Sequence, residues 1–217
     1  MGLVRYTATL AALIGTIIAG ESVVPATPSA QFCDPATAVC YSSSTVGVAS
    51  ISFRVAIPVV SAAPFDALIQ IVAPKTAGWA GLAWGGHMIN NTMTIGWANG
   101  TNAVVSSRWA TAHELPDAYD GAAYQLMKGS GANDTHWTVT ALCKGCSTWT
   151  HDGGSKTSLD PGATQANFAW AAAAKPPIDP ADNFTAFGIH SEHGTFTIDL
   201  AAAKTDKFDD YLKALAV

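Results

Sequence analysis

The segment SISFRVAIPV, residues Ser50–Val59, alternates apolar side chains with small or polar ones. A period of two places Ile51, Phe53 and Val55 on one face of an extended chain. Pro58 has no backbone N–H to donate, so it would end a central strand. The segment therefore predicts a β-strand with one face on a hydrophobic core.

Seven similar runs follow along the chain, separated by turn-forming stretches such as Asn99-Gly100. Many short strands with regular turn signals predict an all-β fold, an antiparallel β-sandwich. Only DKFDDYLKAL, residues Asp206–Leu215, has apolar residues at helical spacing, and it predicts a short C-terminal helix. The seven runs are Ala67–Val72, Trp79–Trp84, Thr92–Trp97, Val104–Ala110, His136–Leu142, Ala166–Ala171 and Thr195–Leu200.

The N-terminus resembles a secretory signal followed by a short spacer. Arg5 precedes the uncharged, mostly apolar run Ala8–Ala19, which is too short to cross a bilayer but suits the apolar region of a signal peptide. Cleavage after Gly20 or after Ala30 would fit equally well. We therefore expect a secreted chain, with residues 1–30 as leader and spacer and residues 31–217 as a single domain.

The composition excludes several function classes. Charged residues make up only 12%, and 11 Lys and Arg stand against 16 Asp and Glu, for a net charge of −5. Without a basic stripe, nucleic-acid binding through phosphate neutralisation is excluded. No long apolar run follows the leader, so we expect no membrane span, and we expect a monomer.

Four cysteines form two close groups, Cys33 with Cys40 and Cys143 with Cys146. In an exported chain they are expected to pair, and short loops favour local pairing, although spatial adjacency could select either other connectivity. Cys143-Lys-Gly-Cys146 could also be a redox dithiol, or one half of a four-cysteine zinc site. Covalent haem attachment would need a histidine after Cys146, where Ser147 stands.

Four Asn-x-Ser/Thr sequons support an exported chain with surface loops at those positions, some of them carrying glycan. The sequon asparagines are Asn90, Asn99, Asn133 and Asn183.

One candidate ligand lies in the loop Gly85–Asn91, between two apolar runs. Met88 follows two glycines, which allow a bulky ligand to approach the backbone, and its thioether is a soft ligand for haem iron or copper. Met93 alternates with Ile95 and Trp97, so we interpret it as a core residue.

A second candidate lies in Phe187–Gly194, just before the last predicted strand. In an extended chain His190 and His193 point to opposite faces, so both can serve one site only if the chain bends. His190 shares the parity of Phe196 and other apolar residues, which favours His190 as the inward imidazole. His193, and His87 beside Met88, remain competing ligands.

Taken together, five segments resemble, in order, the haem b cytochrome domain of fungal cellobiose dehydrogenase. The resemblance implies an immunoglobulin-like β-sandwich related to DOMON domains, which holds a non-covalent haem b. It also implies Met88 and His190 as the two iron ligands and a disulfide between Cys143 and Cys146. The segments are Trp79–Asn91, Ile95–Gly100, Val105–Thr111, Cys143–Trp149 and Phe187–Asp199.

The function implied by this resemblance is outer-sphere electron transfer, because Met and His would fill both axial positions of the iron. Arg108 lies in a matching segment, and we hypothesise that it pairs with a haem propionate. The chain shows no flavin domain, so we expect a stand-alone cytochrome and carry over no sugar dehydrogenase activity.

The expected electron donor is an extracellular sugar dehydrogenase or another reductant. The expected acceptor is a copper polysaccharide monooxygenase or ferric iron, which suggests a role in lignocellulose degradation. The alternative is a DOMON-like module that binds sugar or haem without redox turnover, using exposed tryptophans as a stacking platform. The tryptophans are Trp79, Trp84, Trp97, Trp109, Trp137, Trp149 and Trp170.

Overall fold

The computed structural model describes residues 26–217, so most of the predicted leader lies outside the described residues. Within this range the chain forms sixteen strands and one helix. In chain order the elements are β1 (Ala30–Cys33), β2 (Cys40–Val46), β3 (Ile51–Pro58), β4 (Ala67–Pro74), β5 (Trp79–Ala83), β6 (Met93–Asn99), β7 (Asn102–Trp109), β8 (Asp117–Ala118), β9 (Ala123–Leu126), β10 (Gly131–Ala132), β11 (His136–Lys144), β12 (Thr148–Thr150), β13 (Lys156–Ser158), β14 (Ala166–Ala173), β15 (Glu192–Ile198), β16 (Lys204–Thr205) and α1 (Phe208–Ala214).

The strands form two large sheets and a two-stranded ribbon of β12 and β13. The eight-stranded sheet runs β1-β2-β3-β4-β11-β10, with β9 also on β11 and β16 on β3. The six-stranded sheet runs β15-β14-β5-β6-β7-β8. All pairings are antiparallel except the short parallel contact between β16 and β3. The predicted all-β antiparallel sandwich with a C-terminal helix is therefore confirmed.

The inner faces of the two sheets meet in one hydrophobic core. Ile51, Phe53 and Val55 of β3 are fully buried, as their alternation predicted. The Phe53 ring stacks on Phe196 of β15 at 5.2 Å between centroids, and Phe196 stacks on Phe168 of β14 at 5.5 Å. The first contact joins the two sheets across the core, the second links neighbouring strands of one sheet, and both add to the free energy gained by burial.

The first two strands were not predicted, because β2 has the sequence CYSSSTV and lacks an apolar alternation. Its inward residues include Ser42 and Ser44, both buried. The Ser42 hydroxyl lies 2.6 Å from that of Ser29, and Ser44 donates to the Thr27 carbonyl. Polar side chains can occupy this inner face because each finds a hydrogen-bond partner there.

The outer face of the eight-stranded sheet is covered by the C-terminal helix. Phe208 and Leu215, at 5% and 1% exposure, belong to one buried cluster with Tyr41, Leu68 and neighbouring residues. The amphipathic spacing that predicted the helix thus supplies the side chains that cover this face.

Both local cysteine pairings are confirmed. Cys33 bonds to Cys40 at the register where β1 pairs with β2, and Cys143 near the end of β11 bonds to Cys146 in the turn that follows. A four-cysteine zinc site needs thiolate ligands, and no cysteine is free among the described residues, so the zinc site does not describe this structure. The helix of the described chain is also too short to cross a membrane.

Candidate functional site

The outer face of the six-stranded sheet carries a cavity of about 720 Å³. Its floor consists of very small residues: Gly81 and Ala83 of β5, and Ala169 and Ala171 of the adjacent strand β14. Each alternates along its strand with a large inward residue such as Phe168. The strands therefore present a full core on one side and a flat, apolar surface on the other.

One wall is formed by the long loop between β14 and β15, residues 174–191. β14 and β15 are neighbours, yet the loop crosses the outer face as far as β6 and β7 before it returns. The Trp97 indole N–H of β6 donates to the Pro180 carbonyl at 2.9 Å, and the Ser106 hydroxyl of β7 donates to the Asn183 carbonyl. Phe187 of this loop packs on Trp79, with the ring centroids 4.8 Å apart.

Met88 lies in the turn between β5 and β6 and lines the cavity. The turn requires its glycines: a Cβ on Gly85 would overlap the Asn91 side chain, and Gly86 has a positive φ of 83°. The turn is held from outside, because the Trp149 indole N–H donates to the Asn90 carbonyl and the Asn90 N–H donates to Ala110. The loop Gly85–Asn91 thus holds the Met88 thioether at the cavity.

His190 and His193 both line this cavity, with ring centroids 4.6 Å apart. They share one site because β15 begins only at Glu192, so the chain before it bends. His190 therefore lines the cavity for a different reason from its shared parity with Phe196. Phe196 faces the core between the sheets, on the side of the sheet opposite to the cavity. Burial lowers the pKa of His190, and the nearby His193 lowers it further, and both effects favour the neutral imidazole, which is the form that ligates a metal.

Met93 is a buried core residue, as its alternation predicted, but its cluster is not the one between the two sheets. It belongs to β6 on the outer face of the six-stranded sheet and lines the cavity with Ile95. The cavity therefore has two thioethers, those of Met88 and Met93. Periodicity showed that Met93 is buried, but it could not show which face of the sheet buries it, because both faces of β6 are buried. His87, which is exposed, and His113 also line it.

Arg108 does not line the cavity. It is 3% exposed on β7, and its guanidinium donates hydrogen bonds to carbonyls of two loops whose residues line the cavity. Its Nη1 donates to the Pro116 carbonyl, and its Nη2 donates to the Thr185 carbonyl at 2.7 Å. Pairing with a haem propionate stays a prediction. In this structure the guanidinium is hydrogen-bonded to the two loops that supply part of the cavity wall.

The tryptophans do not form an exposed platform. Six of the seven are at most 7% exposed, and Trp109 is half-buried beneath a stacked Tyr119. The stacking surface of the alternative interpretation is therefore not present in the described fold. Of the sequons, Asn133 and Asn183 are exposed and Asn99 is half-buried, whereas Asn90 has a buried side-chain oxygen and is followed by the fully buried Thr92.

The cavity fits a flat, apolar, metal-containing macrocycle. Its volume lies within the range of about 300–1,000 Å³ typical of cofactor sites. The floor lacks side chains beyond Cβ, and the donor set combines thioethers with imidazoles, which suits iron in a haem. The Trp79 N–H, buried without a partner among the described residues, is a free donor in the wall.

Comparison with known proteins agrees with this geometry. The family described as the cytochrome domain of cellobiose dehydrogenase matches residues 32–210. The chain belongs to this family, and membership implies a haem cofactor and electron transfer. Within it, a curated relative is the pyrroloquinoline quinone-dependent pyranose dehydrogenase of Coprinopsis cinerea, 31% identical over 154 residues. The match covers 70% of this chain but only 21% of that relative, so the chain spans about a fifth of its length.

Two solved structures share the fold. The cytochrome b domain of pyranose dehydrogenase from Coprinopsis cinerea superposes with a TM-score of 0.79 at 29% identity, covering 87% of this chain and 96% of that domain. The cytochrome domain of Myriococcum thermophilum cellobiose dehydrogenase gives a TM-score of 0.77 at 22% identity, covering 87% and 97%. The second similarity is one of fold alone.

Proposed function

We propose that this chain is a secreted haem b cytochrome that transfers electrons, and that Met88 and His190 are the residues that would ligate the haem iron. The proposal is carried by the lining of one apolar cavity, to which two separate loops contribute the Met88 thioether and the His190 imidazole. The haem, when bound, supplies the reversible Fe(III)/Fe(II) couple.

The residues of the chain have three tasks in this function. The floor of Gly81, Ala83, Ala169 and Ala171 would support the macrocycle against a rigid sheet. Met93, Ile95 and the walls would exclude water from its face. Holding the same donors around both oxidation states limits the reorganisation that accompanies electron transfer.

The proposed donor is an extracellular sugar dehydrogenase, a choice supported by the pyranose and cellobiose dehydrogenases in which related domains occur. The proposed acceptor is a copper polysaccharide monooxygenase or ferric iron. Secretion is supported by two disulfides, which persist in oxidising compartments, and by the leader-like N-terminus. Glycans are proposed at Asn99, Asn133 and Asn183.

The test is a visible spectrum of the purified protein, oxidised and then reduced. We expect a low-spin haem spectrum whose Soret band shifts on reduction, and its loss in Met88→Leu and His190→Ala. The chain offers matched controls in the same cavity: Met93→Leu and His193→Ala should retain the low-spin spectrum.

Two results would contradict the proposal in different ways. A protein that takes up no haem would refute the function. If Met93→Leu loses the low-spin spectrum and Met88→Leu retains it, the thioether ligand is Met93. The same comparison of His193→Ala with His190→Ala would assign the imidazole ligand to His193. Reduction by a dehydrogenase followed by reoxidation by an acceptor would separate a carrier from a module that only binds.

A further inference from the structure

Arg108 connects two loops whose residues line the cavity. Pro116 ends the loop that includes His113, and Thr185 belongs to the loop that includes His190. Both loops cross the outer face, and neither is part of a sheet where it meets Arg108. Their relative position therefore depends on side-chain contacts such as those of this guanidinium.

The guanidinium makes four hydrogen bonds with protein oxygens. Nε donates to the Ser106 hydroxyl at 2.6 Å, and Nη1 donates to the Pro116 carbonyl at 3.2 Å. Nη2 donates to the carbonyls of Asn183 at 3.0 Å and Thr185 at 2.7 Å. Ser106 in turn donates to the Asn183 carbonyl, so β7 holds this loop through two side chains.

This arrangement uses the shape of arginine. A planar fork can reach carbonyls on two separate segments, whereas a lysine ammonium is a compact charge on a flexible stem. The only ion pair among residues 26–217 lies elsewhere, between Lys213 and Asp210, so the partners of Arg108 are neutral: three backbone carbonyls and the Ser106 hydroxyl. The guanidinium also lies 5.2 Å from the Phe187 ring, three residues before His190.

We propose that Arg108 is a positioning residue that fastens the His190 loop to the Pro116 loop and thereby sets where the imidazole stands at the cavity. The inference rests on the proposed function, because the imidazole matters only if it holds the haem iron. It differs from propionate pairing, in which the guanidinium would bind the haem itself.

The experiment compares Arg108→Lys and Arg108→Met in the full chain. In the haem-free protein, we expect amide hydrogen exchange of residues 180–190 to accelerate in both variants. In the haem-loaded protein, we expect haem transfer to excess apomyoglobin to be about ten- to hundredfold faster for Arg108→Met, as suits the loss of hydrogen bonds to a charged group. A high-spin component should appear as His190 leaves the iron.

The matched control is Arg54→Met. Arg54 is the other arginine of the described chain, half-buried on the opposite sheet and hydrogen-bonded to Gln70. The Arg54→Met variant should leave haem release and the amide exchange of residues 180–190 unchanged. If Arg108→Met does not fold, Ser106→Ala removes the hydroxyl between Nε and Asn183 and should shift both readouts in the same direction.

Two outcomes would overturn the inference. Exchange and haem release in Arg108→Met equal to those in Arg54→Met would show that the loops do not depend on Arg108. Faster haem release that Arg108→Lys restores, with unchanged exchange in the haem-free protein, would favour propionate pairing. If the wild-type chain takes up no haem, the proposed function fails, and the exchange measurement still decides the role of Arg108.

Discussion

The two sheets of the sandwich use their outer faces in opposite ways. On the eight-stranded sheet, Leu68 and Tyr41 project outward and are covered by Phe208 of the C-terminal helix. On the six-stranded sheet, Gly81 and Ala83 of β5 and Ala169 and Ala171 of β14 project outward, and the space above them stays open as the cavity. The same chain thus fills one face with its own residues and leaves the other for a cofactor.

This difference shows how a sandwich acquires a site without altering its core. Both sheets need a full inner face, so the freedom to vary lies at outward positions. Large apolar residues there require cover from the same chain, whereas small ones under two crossing loops leave a cavity. Two kinds of substitution test whether the outer faces are independent of each other: one fills the open face of the six-stranded sheet, and the other removes cover from the eight-stranded sheet.

The largest effect is expected from filling the open face. Ala171→Phe places an aromatic ring on the cavity floor and should abolish haem uptake almost completely, because the macrocycle and the ring would occupy the same space. Soret absorbance at fixed protein concentration measures the loss, and far-UV circular dichroism checks the fold. Ala171→Ser, which adds a single oxygen, is the control; equal haem content in the two variants would place the haem elsewhere.

Emptying the covered face should affect stability alone. Phe208→Ala removes a buried ring from the helix and is expected to lower the free energy of unfolding by about 3–5 kcal/mol. Urea unfolding of the haem-free protein measures the change. The low-spin spectrum of the folded, loaded variant should match the wild type, and an altered spectrum would show that the two faces are coupled.

A smaller, pH-dependent effect is expected at Tyr41. Burial raises the pKa of this phenol well above its ordinary value of 10.0, and its hydroxyl has no hydrogen-bond partner among the described residues. Above about pH 10 the unfolded chain loses this proton while the folded chain keeps it, so stability falls by about 1.4 kcal/mol per pH unit for this group.

Tyr41→Phe should remove that part of the alkaline loss and leave stability near pH 7 unchanged or slightly higher. Urea unfolding between pH 8 and 11 gives the slopes. Because burial also raises the pKa of Tyr124, the variant should retain the slope that Tyr124 contributes. An unchanged slope in Tyr41→Phe would show that the Tyr41 hydroxyl titrates freely in the folded state.

The sequence predicted the sandwich because strands such as β3 have a regular alternation and their inner faces are apolar. It did not predict β2, whose inward serines depend on partners that are distant in sequence. At the site, the glycine pair and the resemblance were enough to select Met88 and His190 as cavity residues.

What the sequence could not show was which buried face bounds the cavity. Met93 has the same periodicity as a core residue, and the parity of His190 with Phe196 pointed toward the wrong side of the sheet. The wall contacts of Arg108 depend on two loops that meet only in the folded chain. Periodicity distinguishes two faces of a strand but does not say what lies beyond each.

The alternation along β5 and β14 has a thermodynamic consequence. Ala83 and Ala169 reach the floor only when their sequence neighbours Trp84 and Phe168 pack in the core, so this flat surface forms on folding. A ligand that binds only the folded state stabilises it in proportion to the logarithm of its concentration. The melting temperature of this protein should therefore rise with the concentration of free haem, because haem binding and folding are thermodynamically coupled.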